Sequence, residues 1–292
     1  MTRIRLETDT STHELELRRI REAIAASPRS TGAKRKYEEV LRRFEVFLAH
    51  GLGVRHLVEI TAEQVDTFVR APSVGASPTS AGTMHVRRAA VRLAFRIARE
   101  QGLLDHDPTL DLDLPRRPER HCRPLLGAEV ERCRSASLHS LSETRLPAAW
   151  ALAEATATPQ EIALLRPDDV DLNRQCVRLI GGGHLAPRSG ELTDWGAEQL
   201  QRRIDHPDDP DAGLVYRGHG SENSAQASVS QAIRWSLVRA GLGADPLVKP
   251  SSIRAWRAHS WARDGVPIQE IAARLGMRSL DRVLGLIGDD VP

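Results

Sequence analysis

Apolar residues recur at three- and four-residue spacing through most of the chain, which predicts a mainly helical protein. From Glu14 to Ala26, residues Leu15, Leu17, Ile20 and Ile24 fall near one face of an otherwise charged helix; its apolar side faces either the next domain or a second copy. Ser30-Thr31-Gly32 opens the following helix, which runs to about His50 and turns Tyr37, Val40, Leu41, Phe44, Phe47 and Leu48 toward a core. Gly51 and Gly53 end it. Thr61-Ala-Glu-Gln64 is a capping-box start for a short helix through Val69, because each side chain of the pair can satisfy the other's backbone N–H. Residues 71–80 hold prolines, a glycine and serines and read as a loop. A long helix follows from about Ser80 to Gln101, with Met84, Val91, Leu93, Ala94 and Ile97 inside, and Gly102 terminates it.

Leu114 to Pro124 is proline-rich and basic, the composition of an extended linker. Beyond it the pattern mixes periods. Helices are expected from Gly127 and over Leu146 to Leu165, where Pro147 fits the first turn and Pro159 interrupts. Val170-Asp-Leu172 and Cys176 to Ile180 read as short strands, and Gly181-Gly-Gly-His184 as a turn. Gly190-Glu-Leu192-Thr is expected to start a helix ending near Ile204, residues 205–212 a loop, Gly218 to Ala225 a flexible polar stretch, and Val229 to Ala240 a helix. Two further helices follow Lys249-Pro-Ser-Ser-Ile-Arg254 and Gly265-Val-Pro. The division is an N-terminal helical extension (1–27), a helical domain (28–113), a linker (114–124) and an α+β domain (125–292) with a small antiparallel sheet.

A length of 292 residues fits two domains. The net charge of +2 gives no global field, so attraction to nucleic acid has to come from local clusters. Lys34, Lys36 and Lys249 are the only lysines, and arginine carries the rest of the positive charge. A GC-rich genome explains most of that bias, although arginine's planar fork also suits phosphate. Cys122, Cys133 and Cys176 have no zinc-site spacing, and neither a membrane-length apolar run nor a signal-peptide core is present, so a reduced, cytoplasmic protein is expected.

The charge clusters lie on two helices and the linker. Lys34, Arg35, Lys36, Arg42 and Arg43 lie off the core face of the second helix. Arg87, Arg88, Arg92, Arg96 and Arg99 put several guanidinium groups on one stripe of the long helix, where Glu100 is the only acid, and such a stripe suits phosphates better than a self-paired solvated face. No Gly-x-Ser-x-Gly, His-Glu-x-x-His or Walker loop occurs, and no metal or cofactor is expected.

The C-terminal layout of Arg254, a helix, Gly265-Val, a second helix, Leu275-Gly276 and an apolar end resembles the catalytic domain of the tyrosine recombinase (phage integrase) family. Ala155 to Glu161, with the following Leu and Asp residues, resembles the family's Thr-Gly-Leu-Arg-x-x-Glu motif, and the helical part ending Gly102 to Leu110 looks like its core-binding (SAM-like) domain. The resemblance spans roughly residues 28–288. It implies a clamp on duplex DNA and a metal-free site. There a tyrosine attacks phosphorus, two arginines bind the phosphate, a lysine protonates the leaving hydroxyl and His/Trp positions complete the set.

Most of those positions are changed. The first arginine slot holds Thr158, the lysine slot Gly182, the first histidine slot Ser251, the later His/Trp slot Met277 and the nucleophile slot Leu286. The second arginine survives as Arg254, either a phosphate ligand or an ion-pair partner of Glu161, and Arg188 lies where the family often has an arginine. A leucine has no atom to attack phosphorus, so no covalent intermediate can form there. Tyr37 and Tyr216 read as packing residues.

The resemblance therefore implies a DNA-binding protein without cleavage, an architectural or regulatory subunit in recombination or integration. Its phosphate contacts are expected from Lys34, Lys36, Arg87, Arg88, Arg92, Arg96, Arg116, Arg117, Arg188 and Arg254, and its place with the nucleoid. Its partners are expected to be double-stranded DNA and an active recombinase or a second copy docked through Val283 to Ile287. The alternatives are a recombinase with a rearranged or trans-supplied nucleophile and an interaction module that no longer binds DNA.

Overall fold

The computed structural model describes residues 12–29, 31–52, 54, 56–72, 78–116, 122–140, 142–182, 185–206, 213–216, 218 and 220–287. The chain divides into two compact units, Met1–Glu119 and Arg120–Pro292.

The first unit is helical: α1 (Thr12–Ala26), α2 (Thr31–Phe47), α3 (Ala62–Arg70) and α4 (Ala81–Glu100). Leu17, Ile20 and Ile24 of α1 are buried in one cluster with Val40, Leu41 and Phe44 of α2 and Val91, Ala94 and Phe95 of α4. The segment expected as an extension thus packs into this unit's core, and Leu15 is left exposed. The capping box forms as expected, with Gln64 N–H donating to Thr61 Oγ1 and Thr61 N–H to Gln64 Oε1. Ser80 caps α4 by accepting the Thr83 N–H at 3.2 Å. The second helix ends in a wider turn over Leu48–Leu52.

The second unit surrounds Trp150, which is fully buried on α6 (Arg145–Glu154) and donates its indole N–H to Glu154 at 2.7 Å. Around it pack α5 (Gly127–Ser137), α7 (Pro159–Leu164), α8 (Asp194–Asp205) and α9 (Glu222–Arg239). A three-stranded antiparallel sheet runs in the order β1 (Val170–Asp171), β2 (Cys176–Leu179), β3 (Arg188–Glu191), with Val177 opposite Gly190. Helices α10 (Ser251–Arg263), α11 (Ile268–Leu275) and α12 (Leu280–Ile287) close around a smaller apolar cluster of Trp261, Ile271, Leu275, Val283 and Ile287.

The interruption expected at Pro159 is present: α6 ends at Glu154 and α7 starts at Pro159, where a missing N–H costs nothing. The structure departs from the sequence expectation at two places. The stretch expected to open a helix at Gly190 is strand β3, and α8 begins later, capped by Thr193. Arg-Ser-Gly-Glu lacks the apolar alternation that marks a strand, and Gly190 is required because a Cβ there would overlap the Ala155 carbonyl. Helix α9 begins at Glu222 rather than Val229, because Ser221 caps it and buried Ala225 anchors a turn rich in serine and glutamine. Among the described residues no helix is long and apolar enough to cross a membrane.

Candidate functional site

In the second unit, four short segments meet around Arg188, and the chain's turn chemistry brings them there. Thr156 takes a left-handed backbone (φ 69°) at the position where the recombinase motif has glycine. Thr158 then caps α7: its Oγ1 accepts the Glu161 N–H at 3.4 Å and donates to Glu161 Oε2 at 2.9 Å. The slot expected to have lost an arginine is therefore a helix cap. Strand β3 carries Arg188 to the same carboxylate, with Nη1 donating to Oε1 at 2.7 Å and Nη2 to Oε2 at 3.0 Å. Nη2 also donates to the Thr156 carbonyl at 2.8 Å. The two side chains are only 4% and 3% exposed.

The turn before β3 is stitched to the end of α11. Ala186 N–H donates to the Gly276 carbonyl at 2.8 Å, and Leu185 forms a bridge with Met277. Gly276 is left-handed (φ 68°), and a Cβ there would lie 3.0 Å from Arg188 Cδ and Nη1, so both backbone and space demand glycine.

Arg254, on the first turn of α10, faces this group. Its Nη2 donates to the Leu275 carbonyl at 2.8 Å, while its buried Nε has no acceptor among the described residues. Burial, and then the Arg188 charge, push its pKa down to about 10, with Glu161 opposing. Glu161 is held below the ordinary carboxylate range: burial raises it, and the bonds from Arg188 and Thr158 more than reverse that. The sequence offered Glu161 as an ion-pair partner for Arg254; the carboxylate is taken by Arg188 instead.

The other expected slots are Ser251, Gly182, Met277 and Leu286. Ser251 is exposed at the start of α10, and Gly182 is exposed with φ 131°. Met277 and Leu286 pack against the apolar cluster under α12. Val283 and Ile287 are buried in the same cluster, so α12 sits on its own unit. Tyr216 accepts the Gly220 N–H at 3.0 Å.

The expected phosphate contacts sort into distinct groups. Arg87 is buried and donates to the Phe68, Val69 and Ala71 carbonyls, which removes it from any surface. Arg88 donates to the Thr109 and Leu110 carbonyls. Lys34 donates to the Ala25 carbonyl and Lys36 pairs with Glu39. Arg188, expected as a phosphate contact, is instead buried and paired with Glu161. Arg116 is exposed, and Arg117 lies outside the described residues.

Arg92 and Arg96 are exposed on α4 and, with Arg29, Arg99 and Tyr37, line a groove of about 350 Å³ in the first unit. Arg29 stacks 5.7 Å from the Tyr37 ring centroid. The groove's one acid, Asp107, has its side chain buried, accepts from Thr109 N–H and Oγ1 and pairs with Arg99 at 3.4 Å. Sequence reasoning found Arg92 and Arg96 but not Arg29, whose placement depends on how α1 returns to α2. It also passed over Arg257, whose only signal was its position one helical turn after Arg254.

No protein-family model matches the chain, and no curated protein matches it in sequence. Solved structures match it in fold. The lambda integrase dimer bound to a COC' core site is 15% identical with a TM-score of 0.71, the match covering 96% of either chain. The Tn1549 transposon integrase in complex with transposon right end DNA is 14% identical with a TM-score of 0.67, covering 95% of either chain. The lambda integrase tetramer bound to a Holliday junction is 15% identical with a TM-score of 0.70, covering 97% of this chain and 80% of that one. Identities this low speak to architecture alone, and on that ground the chain has the fold of the tyrosine recombinases, or phage integrases.

Proposed function

We propose that the chain binds duplex DNA without cutting it, as an architectural or regulatory subunit in DNA recombination or integration. The observation that carries this reading is the contrast between Leu286 and Arg254. The nucleophile slot is an apolar side chain of α12 packed on its own unit's apolar cluster, while the surviving arginine keeps a buried donor without an acceptor among the described residues. A tyrosine, a lysine and one arginine are missing from the same constellation, and such groups act as a unit. The matched lambda and Tn1549 structures are complexes with DNA, which supports duplex DNA as the partner.

The phosphate contacts of this reading are Arg92, Arg96 and Arg29 around the groove of the first unit and Arg254 in the second. Phosphate contacts fix register and orientation, and any sequence preference comes from base edges or DNA shape. With a net charge of only +2, binding should be confined to these patches and depend steeply on salt. The work is expected in the cytoplasm, at the nucleoid.

Titrating the protein against duplex DNA over a range of salt tests the reading, together with denaturing electrophoresis after incubation on nicked duplex. A shift whose affinity falls steeply with salt, and no covalent adduct, is the expected result. Failure to bind at ~50 mM salt sinks the DNA reading; an adduct sinks the claim that the protein does not cut.

A further inference from the structure

Arg257 lies three residues after Arg254 on α10, which puts both side chains on one face of the helix, with Cβ atoms about 5–6 Å apart. Arg257 has the same peculiarity as its neighbour: its buried Nε has no acceptor among the described residues. Its carboxylate partner is Glu191, 3.2 Å from Nη2 and 63% exposed, an ion pair that solvent screens and a stronger acceptor would displace. The guanidinium is held in place by aromatic faces, 5.2 Å from the Trp261 centroid and 6.0 Å from that of Trp256. An arginine ordered in advance loses little freedom when it binds an anion.

The charges around this face do not balance. Glu161 is committed to Arg188, and exposed Glu191 is left to serve Arg257, so among the described residues Arg254 has a carbonyl and no carboxylate. Buried cationic N–H groups left without acceptors are costly, and a tetrahedral oxyanion with several lone pairs is the ligand that relieves them. Arg188 shares the buried Nε without an acceptor among the described residues, but it does not provide the second fork, because both its terminal nitrogens are already bonded and its side chain is 4% exposed. Arg257, with 16% of its side chain exposed, remains within reach of a ligand.

We propose that Arg254 and Arg257 together clamp one tetrahedral oxyanion, so that α10 alone supplies the pair of arginines that Thr158 no longer helps to make. The inference rests on the DNA-binding reading for the identity of the natural ligand, a backbone phosphate of duplex DNA. The clamp itself is a property of α10 and can be read without DNA.

The test has two arms on the full chain. In the first, thermal unfolding is followed in sodium sulfate against sodium chloride at equal ionic strength. In the second, affinity for a duplex of mixed sequence is measured across salt concentrations. The wild type should be stabilised by sulfate. Arg257→Gln and Arg254→Gln should each lose most of that stabilisation, bind duplex roughly tenfold more weakly and reduce the salt slope by about one. The double variant should be little worse than either single one, since the two act on one ligand. Arg257→Lys, which keeps the charge and guards against a folding defect, should retain part of the effect. Arg263→Ala removes the same charge from an exposed position on α10 and should change neither readout beyond screening.

If Arg257→Gln matches Arg263→Ala in both arms, the clamp is wrong even though DNA binding stands. If the wild type ignores duplex but its sulfate stabilisation vanishes in Arg257→Gln, the clamp holds and the DNA reading falls. If sulfate does not stabilise the wild type and the duplex arm shows no effect of Arg257, the clamp is overturned.

Discussion

Arg188 and Glu161 face each other as a two-pronged ion pair, 2.7 and 3.0 Å, almost wholly out of solvent. The pair ties strand β3 to the start of α7, and the Thr156 carbonyl and Gly276 hold Arg188 from the other sides. Glu161 keeps an arginine partner although the position three residues before it is Thr158. The partner arrives from the sheet instead. The carboxylate of Glu161 is therefore fully engaged, while Nε of Arg188 is left buried without an acceptor among the described residues.

Removing Arg188 leaves Glu161 as an uncompensated buried charge. Arg188→Met should destabilise the second unit by about 3–5 kcal/mol, the usual consequence of breaking a buried pair from one side. Replacing both partners, Arg188→Met with Glu161→Gln, should recover much of the loss, because no charge remains buried. Denaturant unfolding of the two variants checks the order, and equal losses would contradict the pairing.

The same pair sets an acid limit. Burial alone would raise the Glu161 carboxyl, but Arg188 and Thr158 hold it below its ordinary value. A carboxylate depressed in the folded state contributes stability that is fully present above its unfolded value, near 4.5, and is lost as pH falls through the lower folded value. Unfolding free energy should therefore fall as pH drops below the ordinary carboxylate range. Glu161→Gln should flatten that fall while lowering stability at neutral pH. A parallel pH profile in the variant would show that other carboxylates carry the effect.

Arg254 gives a slope of the same sign in an alkaline window, but its charge works against the fold. Its folded pKa is pushed down to about 10, first by burial and then by Arg188, so its charge is held at a net cost at neutral pH. In its region the unfolded chain binds the proton more tightly, and this group makes stability rise as pH climbs from about 10 toward the ordinary arginine value. Arg254→Met should raise stability at neutral pH by about 1–3 kcal/mol, less the lost bond to the Leu275 carbonyl. On the proposed function it should weaken duplex DNA binding at the same time. A variant that is both less stable and unchanged in binding would make Arg254 a structural residue.

What the sequence disclosed follows from the range of the interactions involved. Helix periodicity and caps are local, so the core faces of α2 and α4, the Thr61 box and the split at Pro159 were legible in it. The apolar and charged frame after Arg254 was equally legible, because its glycines and its Leu275-Gly276 end are local backbone requirements. Strand β3 was not, since Arg-Ser-Gly-Glu becomes a strand only through pairing with β2. Nor were the fates of the arginines. Arg87 and Arg92 lie on one helix and differ only in which side faces the core, so one binds carbonyls inside and the other lines an exposed groove. Charge counts along a helix do not separate such cases; the packing of α3 against α4 does.

Placing a hydroxyl at the proposed nucleophile slot tests the reading that the protein does not cut. Leu286 sits on α12 against the apolar cluster beside Met277, and Val283 and Ile287 anchor that helix in place. Leu286→Tyr puts a nucleophile in the slot, at some cost in packing. The attacked phosphate would still lack the arginine replaced by Thr158 and the proton donor replaced by Gly182. Each such group is typically worth on the order of 10²–10³ in rate, and a phenol without them has no stabilised transition state to reach. Incubation of Leu286→Tyr with nicked duplex should therefore give no covalent adduct under denaturing electrophoresis. Adduct formation by this single variant would mean that other donors, with Arg254 and Arg257 first among them, already hold a phosphate in an attackable geometry, and that only the hydroxyl was missing.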